Sequence, residues 1–154
     1  MRHIFWLEPG ILAGRAGPNR EPWNLAELRS AGIGAVLSVN DGELCRAEDF
    51  VDVGIEYRCM PLSENAPPLA GDKAHCIEVL PHAYAFVKAK IASGTAILVH
   101  CSSGKDRTGL FMAYFLLMSG CSPSTAIARV KVVRPIAFTA DGWEAFALEL
   151  LAEI

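Results

Sequence analysis

Cys101 and Arg107, six positions apart, are the residues whose types and spacing best predict chemistry in this chain. The segment between them contains Gly104 and joins an apolar strand pattern at residues 96–99 to an apolar helix pattern at residues 110–118. A strand, a tight turn and a helix start form an anion site, because backbone N–H groups converge there and the helix adds about half a positive charge. In that field we expect a thiolate at Cys101 and an Arg107 guanidinium that binds two oxygens of a tetrahedral anion. The pattern therefore predicts phosphoryl transfer through a cysteine.

The composition predicts one globular domain covering residues 1–154. The chain is 52% hydrophobic and 20% charged, which provides a substantial core and argues against disorder. Its formal net charge is −3 and its pI is near 5.8, whereas nucleic-acid-binding domains usually present a basic surface, so we expect no nucleic-acid partner. The longest apolar run, at residues 110–118, is far shorter than the roughly 20 residues that cross a bilayer. The N-terminal run at residues 4–7 is too short for a signal peptide, so we expect a cytoplasmic monomer without integral membrane contact.

The five cysteines predict free thiols in a reducing compartment. Their number is odd, and neither a Cys-x-x-Cys pair nor a Cys/His metal spacing occurs, so the cysteines indicate no metal site. The cysteines other than Cys101 are interpreted as small buried apolar residues, namely Cys45, Cys59, Cys76 and Cys121.

Strand and helix patterns alternate along the chain. Strands are predicted at residues 4–7, 11–13, 35–39, 55–60 and 96–99, and the first two should form a hairpin. Helices are predicted at residues 23–30, 44–53, 72 to about 93, 110–118, 124–133 and 143–154. Loops are predicted at residues 15–22 and 61–71. Pro81 should kink the third helix, Ser122 should cap the fifth, and Asp141 with Glu144 resembles a capping box before the sixth. The alternation predicts an α/β fold with a mainly parallel central sheet flanked by helices, and with the Cys101 loop between a strand and a helix.

The sequence His-Cys-Ser-Ser-Gly-Lys-Asp-Arg-Thr-Gly at residues 100–109 resembles the signature of the cysteine-based tyrosine and dual-specificity phosphatases. That signature is His-Cys-x-x-Gly-x-x-Arg-(Ser/Thr)-Gly, and every fixed position matches. Weaker similarities lie at residues 32–37, which resemble an early strand of dual-specificity members, and at Arg134 and Pro135, which resemble an Arg-Pro after the next helix. The Gly-Lys-Asp-Arg stretch at residues 104–107 is most similar to atypical bacterial tyrosine and phosphoinositide phosphatases.

This resemblance implies a phosphomonoester hydrolase that acts on a phosphorylated protein or a small phosphorylated molecule without a cofactor. Cys101 would attack phosphorus and form a phosphocysteine, which splits one difficult displacement into two easier steps. Thr108 would donate its hydroxyl to the Cys101 sulfur, and His100 would orient the loop backbone. The residues expected to hold the phosphate lie in residues 101–107, the phosphate loop, and are Ser102, Ser103, Gly104, Lys105, Asp106 and Arg107.

The general acid stays open between two carboxylates. Relatives usually supply an Asp in a Pro-x-x-Asp arrangement from a separate loop, and that spacing lands on Glu64 in this chain. In relatives that carry Gly-Lys-Asp-Arg, the Asp inside the phosphate loop has been assigned the role, which here would be Asp106. Asp72, or no acid at all, is the remaining alternative.

Four other basic residues could contribute to the site or to its support. Lys105 is either a solvated residue of the rim or a second positive charge for substrates with several phosphates, such as phosphoinositides. Arg134 is expected to support the loop or a neighbouring carboxylate. Arg15 and Arg20 are interpreted as surface charges, with contact to the substrate as the alternative. Two other functions stay open, namely a low-activity phosphate-binding relative and a sulfurtransferase or arsenate reductase.

Overall fold

The computed structural model of the protein describes residues 3–43 and 45–154. Five strands form one central sheet within these residues: β1 (Phe5–Glu8), β2 (Leu12–Ala16), β3 (Ile33–Ser38), β4 (Glu56–Cys59) and β5 (Ala96–Cys101). Their order across the sheet is β1-β2-β5-β3-β4. The β1–β2 hairpin is antiparallel, and the other three neighbouring pairs are parallel. The prediction of a mainly parallel sheet is therefore confirmed.

Helices follow or connect the strands on both faces of the sheet. They are α1 (Leu25–Ser30), α2 (Ala47–Asp52), α3 (Asp72–Ala92), α4 (Asp106–Met118), α5 (Pro123–Val133) and α6 (Trp143–Ala152). Ser122 caps α5 by accepting a hydrogen bond from the Thr125 amide, as predicted. No helix of the described residues combines the length and the apolar character that crossing a membrane would need.

Four local predictions differ from the structure. The strand β2 extends through Arg15 and Ala16, which were expected in a loop, because both residues pair with the central strand β5. The helix α4 begins four residues before the apolar pattern indicates, since its first turn is polar. Gly142, with a φ of 75°, occupies the N-cap of α6, so the expected capping box at Asp141 does not form. The predicted start of α2 at Leu44 lies outside the described residues, and the helix is formed from Ala47.

The core positions the N-terminus of α4 directly after β5. On one face of the sheet, alternate strand residues such as Ile97 and Val99 pack against α3, α4 and α6, and on the other face Leu98 packs with residues of α1 and α2. Every residue of α4 from 108 to 116 is buried. Since α4 is enclosed by the core, its first turn is held at the carboxyl end of the sheet, and the phosphate loop is held with it.

Candidate active site

The phosphate loop makes a tight turn between β5 and α4. Gly104 has a φ of 64°, in the left-handed region that side chains other than glycine rarely adopt. A β-carbon at Gly104 would also lie 2.5 Å from the carbonyl oxygen of Arg15 in β2. The glycine is therefore required twice, once by the backbone conformation of the turn and once by its close approach to the sheet.

The first two carbonyl groups of the phosphate loop point away from its interior. The Cys101 carbonyl accepts a hydrogen bond of 3.0 Å from His100 Nδ1. The Ser102 carbonyl accepts one of 2.9 Å from the Gly17 amide, which follows β2. A β-carbon at Gly17 would lie only 2.4 Å from the Cys101 carbonyl oxygen, so glycine at this position permits the contact between the two loops.

Arg134 binds the next two carbonyl groups from the same outer side. Its Nη2 donates to the Ser103 carbonyl at 2.8 Å and its Nε donates to the Gly104 carbonyl at 3.1 Å. The ring of Phe5 lies 4.9 Å from the guanidinium carbon and fixes its orientation. The prediction that Arg134 supports the loop is confirmed.

These four anchored carbonyls determine where the amides of the loop point. In a trans peptide the N–H is directed opposite to the C=O, so carbonyls that are bound outside turn the following N–H groups inward. None of the backbone N–H groups of residues 102–107 has a hydrogen-bond acceptor within the described part of the chain. The result is a concave set of unused donors at the N-terminus of α4, which can bind a tetrahedral anion.

The Cys101 side chain lies at the base of this loop and is almost completely buried. Thr108 Oγ1, also buried, donates a hydrogen bond to Cys101 Sγ at 3.2 Å. His100 is fully buried, and burial is the largest cause of a lowered pKa for its imidazole. Cys101 and the two residues that the sequence associated with it, His100 and Thr108, therefore lie together in the structure.

The Arg107 guanidinium is directed toward the 61–71 loop. Its Nε donates to the Ser63 carbonyl at 2.7 Å, and its Nη2 donates to the Asn65 carbonyl at 3.1 Å. Trp143 lies 4.5 Å from the guanidinium carbon and donates from its indole Nε1 to the same Asn65 carbonyl. These contacts hold the 61–71 loop beside the first turn of α4.

Asp106 is buried and links the phosphate loop to the segment before α6. Its Oδ1 accepts a hydrogen bond of 3.1 Å from the Ala140 amide. Its Oδ2 lies 3.6 Å from Lys105 Nζ and 3.9 Å from Arg107 Nη1. Lys105 in turn donates to Thr139 Oγ1 at 2.9 Å, so its ammonium lies at the rim of the loop, toward the segment before α6.

Glu64 is exposed and lines a cleft of about 160 Å³ together with Asp41. Glu64 forms no hydrogen bond or ion pair within the described residues, whereas Asp72, the third candidate acid, binds the Asn65 side chain and the Leu69 amide. Asp41 was not among the site residues that the sequence predicted. In the structure its Oδ1 accepts from Asn19, and its Oδ2 is buried beside Gly17 without a hydrogen-bond donor.

Arg15 corrects the expectation of a surface charge. Its side chain is buried, and it donates to the carbonyls of Ala16, Glu21 and Pro22 at 2.7 to 3.2 Å. The expectation was wrong because β2 lies inside the sheet, between β1 and β5, and not in a loop. Arg15 thus holds the segment after β2 against the phosphate loop, while Arg20 is exposed as expected.

The five cysteines are all unpaired, as predicted. Only Cys76 among the other four is buried, while Cys59 is exposed and Cys45 and Cys121 are half-buried, so the expectation of four buried residues was wrong. Burial raises the pKa of Cys45, and it raises that of Cys76 to about 11, which lowers the thiolate fraction of both residues at neutral pH. Within residues 3–43 and 45–154, no three His, Cys, Asp or Glu side chains are close enough together to hold a metal ion.

The chain is similar to curated phosphatases and to solved phosphatase structures. It is 29% identical to human dual specificity protein phosphatase 12 over 141 residues, which cover 90% of this chain and 38% of that protein. The chain therefore spans well under half the length of this relative.

Two crystal structures share the fold at low sequence identity. One is Tk-PTP in the active form, with a TM-score of 0.78, 22% identity and coverage of 99% of both chains. The other is PTPMT1 in complex with PI(5)P, with a TM-score of 0.71, 17% identity and coverage of 94% of this chain and 92% of that chain.

A family comparison covers almost the whole chain. Residues 1–141 match PTP-SAK, described as the DSP-PTPase phosphatase domain of Swiss Army Knife proteins. The matched range contains both the phosphate loop and the Arg134 that binds its carbonyls from outside. With the fold and this match in agreement, the protein belongs to the PTP-SAK family of DSP-PTPase phosphatase domains, within the cysteine-based phosphatase superfamily.

Proposed function

We propose that the protein hydrolyses phosphomonoesters, of the kind that tyrosine or dual-specificity protein phosphatases act on, through a phosphocysteine at Cys101. The observation that carries this proposal is the concave set of unused amides above Cys101, turned inward by four carbonyls that are bound outside. These donors are preorganised for the charge on the equatorial oxygens of a transferring phosphoryl group. Four of these amides, those of residues 102–105, share peptides with the carbonyls that are bound outside, and the amides of Asp106 and Arg107 are the unpaired donors of the first turn of α4.

The reaction would proceed in two displacements. The Cys101 thiolate attacks phosphorus, an S–P bond forms, the P–O ester bond breaks, and the leaving oxygen takes a proton from a general acid. Water then attacks the phosphocysteine, the same carboxylate accepts a proton from that water, and the S–P bond breaks to release inorganic phosphate and the thiolate. Thr108 would stabilise the departing thiolate through its hydroxyl, and Arg107 would bind two phosphoryl oxygens.

Of the two candidate general acids, Glu64 and Asp106, the hydrogen bonds and ion pairs favour Glu64. The carboxylate of Asp106 is occupied, since one oxygen accepts from the Ala140 amide and the other lies between two cations. Glu64 is exposed and unpaired within the described residues, and it stands between Ser63 and Asn65, whose carbonyls bind the Arg107 guanidinium. A proton carried by Glu64 would therefore be delivered from a loop that contacts the anion-binding arginine.

The substrate class is proposed as a phosphorylated protein or a small phosphorylated molecule. The similarity to human dual specificity protein phosphatase 12 favours protein substrates. Lys105 would provide a second charge for a multiply phosphorylated ligand, since its ammonium keeps its charge and two further N–H donors while it donates to Thr139. A panel of phosphotyrosine, phosphoserine and phosphothreonine peptides and phosphoinositides, compared by kcat/KM, would rank these classes.

The test is hydrolysis of p-nitrophenyl phosphate in the presence of a metal chelator. We expect turnover that vanadate inhibits, because vanadate occupies the same oxygen sites as the phosphoryl group. Cys101→Ser should abolish turnover and keep phosphate binding, and Cys121→Ser, the matched control, should keep both. Full activity of Cys101→Ser, or turnover only after metal addition, would reject the mechanism. Sulfur transfer from thiosulfate without ester hydrolysis would indicate the sulfurtransferase alternative.

A further inference from the structure

Asn65 carries several of the hydrogen bonds that hold the 61–71 loop. Its carbonyl accepts one bond of 3.1 Å from Arg107 Nη2 and one of 2.9 Å from Trp143 Nε1. Its side-chain Nδ2 donates to both carboxylate oxygens of Asp72, at 3.2 and 3.0 Å. The backbone and the side chain of this one residue are therefore fixed by separate elements, since Trp143 belongs to α6 and Asp72 to α3.

The Trp143 indole contacts Arg107 and the loop at the same time. Trp143 is fully buried at the first position of α6, and its ring lies 4.5 Å from the guanidinium carbon. A buried indole N–H usually has an acceptor, and here the acceptor is the Asn65 carbonyl, 78 positions earlier in the chain. Phenylalanine would keep a ring against the guanidinium but would lose this bond, so the indole nitrogen specifically joins the loop to α6.

The start of α6 permits a close approach of the loop. A β-carbon at Gly142, which precedes α6, would lie 3.2 Å from Cβ of Pro67 and 3.3 Å from Cδ of Pro68. Just after the loop, Lys73 pairs with two glutamates of α6 at 3.0 and 3.1 Å. The residues that α6 and its N-cap contribute to these contacts follow position 141, where the match to the family ends.

Asp72 holds the far end of the same loop. Besides the Asn65 side chain, its Oδ2 binds the Leu69 amide, which donates at 2.6 Å. Hydrogen bonds from N–H groups stabilise the charged form of a carboxylate, so Asp72 is suited to anchor the loop and poorly suited to deliver a proton.

We infer that Trp143 and Asp72 are positioning residues for the proton donor: by fixing Asn65 they hold the adjacent Glu64 beside Arg107. Neither residue is proposed to touch the substrate. The kinetic part of this inference rests on the proposed function with Glu64 as the general acid. The effect of the two residues on the motion of the loop does not depend on that function.

The first test measures the loop without any reaction, by amide hydrogen exchange and mass spectrometry on the full chain. Trp143→Phe removes one donor and keeps a ring, so exchange in peptides covering residues 61–71 should become about 5-fold faster. Asp72→Asn, which removes the charge that accepts the loop's bonds, should accelerate the same peptides. Unchanged exchange in Trp143→Phe would overturn the role of Trp143, and unchanged exchange in Asp72→Asn would overturn that of Asp72.

Two matched controls accompany these variants. Trp6→Phe removes an indole N–H from β1, on the other face of the sheet, and Asp52→Asn removes an exposed carboxylate from α2. Both should leave exchange in the loop unchanged. A similar acceleration in the controls would show a general loosening of the protein and would contradict the inference.

The second test uses the dependence of hydrolysis on the leaving group, which a merely structural role would not change. A displaced Glu64 transfers its proton less well, so Trp143→Phe should lower kcat about 5-fold for phenyl phosphate and less than about 2-fold for p-nitrophenyl phosphate. Added to Glu64→Gln, the same substitution should change the rate for phenyl phosphate by less than about 2-fold, because no proton donor remains to be positioned. Equal losses for the two esters, or losses that multiply in the double variant, would contradict the inference.

The two tests separate the inference from the proposed function. If Glu64→Gln alone shows no selective loss for phenyl phosphate, the assignment of the acid fails, and hydrogen exchange still decides whether Trp143 and Asp72 hold the loop. Thermal unfolding of each variant reports stability separately. If Trp143→Phe does not fold, Asp72→Asn tests the same loop through its other contact, by exchange and by the ratio of the two ester rates.

Discussion

The phosphate loop has two sides with different contacts. On the rear side, which faces the sheet, its carbonyls are bound by His100, Gly17 and Arg134. On the front side, the Arg107 guanidinium contacts the 61–71 loop. The rear contacts involve buried groups such as His100 and follow strand pairing. The front contacts join Arg107, Trp143 and the 61–71 loop, which contains exposed residues including Glu64. The comparison indicates that the groups that would stabilise phosphoryl charge are built into the core, while the group that would deliver a proton belongs to the surface.

The physical reason for this division is the cost of opening each side. A buried polar group that loses its partner costs about 1–3 kcal/mol, so the rear of the loop is held in one arrangement. A loop at the surface can exchange protein contacts for water at lower cost and opens more readily. In the proposed reaction we therefore expect any movement during substrate entry and product release at the exposed part of the 61–71 loop, while the amides at the rear stay in place.

The largest effect should come from Arg107, whose guanidinium contacts the 61–71 loop and is proposed to bind two phosphoryl oxygens. Arg107→Lys keeps the charge and loses the planar fork, so kcat/KM for p-nitrophenyl phosphate should fall about 10³-fold. Arg46→Lys, an exposed arginine that pairs only with nearby acidic side chains, is the matched control and should have no effect. A loss smaller than about 10-fold for Arg107→Lys would remove the guanidinium from its proposed role.

The next test concerns the acid on the front side. Glu64→Gln should slow hydrolysis of phenyl phosphate about 10²-fold and slow p-nitrophenyl phosphate much less, because only the poor leaving group needs a proton. Asp106→Asn should affect both esters equally, since its role would be to anchor residues 136–142. The ratio of the two rates is the measurement. If Asp106→Asn shows the selective loss and Glu64→Gln does not, the two roles must be exchanged.

Removing the Arg134 side chain, which binds two carbonyls on the rear side of the phosphate loop, should have a smaller effect. Arg134→Ala frees the carbonyls of Ser103 and Gly104, and we expect a loss of about 10-fold in kcat/KM together with weaker inhibition by vanadate. Arg129→Ala, on the exposed side of the same helix, should leave both values unchanged. Equal values for the two variants would mean that the carbonyls keep their orientation without Arg134.

The smallest effect should be a dependence of stability on pH that originates at His100. Desolvation is the largest cause of its lowered pKa and outweighs the opposing effects of its bond to the Cys101 carbonyl and of Asp41. A histidine with a lowered folded pKa contributes its full stability above its unfolded pKa of about 6.5 and loses it as the pH falls. The free energy of unfolding should thus decrease as the pH falls from 7.5 to 5.5.

Denaturant titrations at both pH values measure this decrease. His100→Asn, which keeps a side-chain N–H donor and loses the titrating ring, is the comparison and should flatten the dependence. An identical slope in the two proteins would place the pH dependence at other groups.

The sequence predictions succeeded where the interacting residues are close together in the chain, and they failed where those residues are far apart. The phosphate loop is contiguous, and its strand, turn and helix were readable from apolar patterns and one glycine. The parallel sheet followed from the alternation of elements. The expectation for Arg15 failed because a charged residue in a short polar segment gives no sign of a central strand, and the capping box failed because Gly142 takes the N-cap.

The amino-acid sequence by itself determined the family, the chemistry of the loop and the α/β architecture, because these depend on neighbouring residues and on periodicity. Only the tertiary structure decided which side chains bind the loop carbonyls, where the Arg107 guanidinium points and how Asp106 differs from Glu64. Those contacts join residues up to 85 positions apart, as between Gly17 and Ser102. They depend on the order of strands in the sheet and on the packing of α6, which no local pattern encodes.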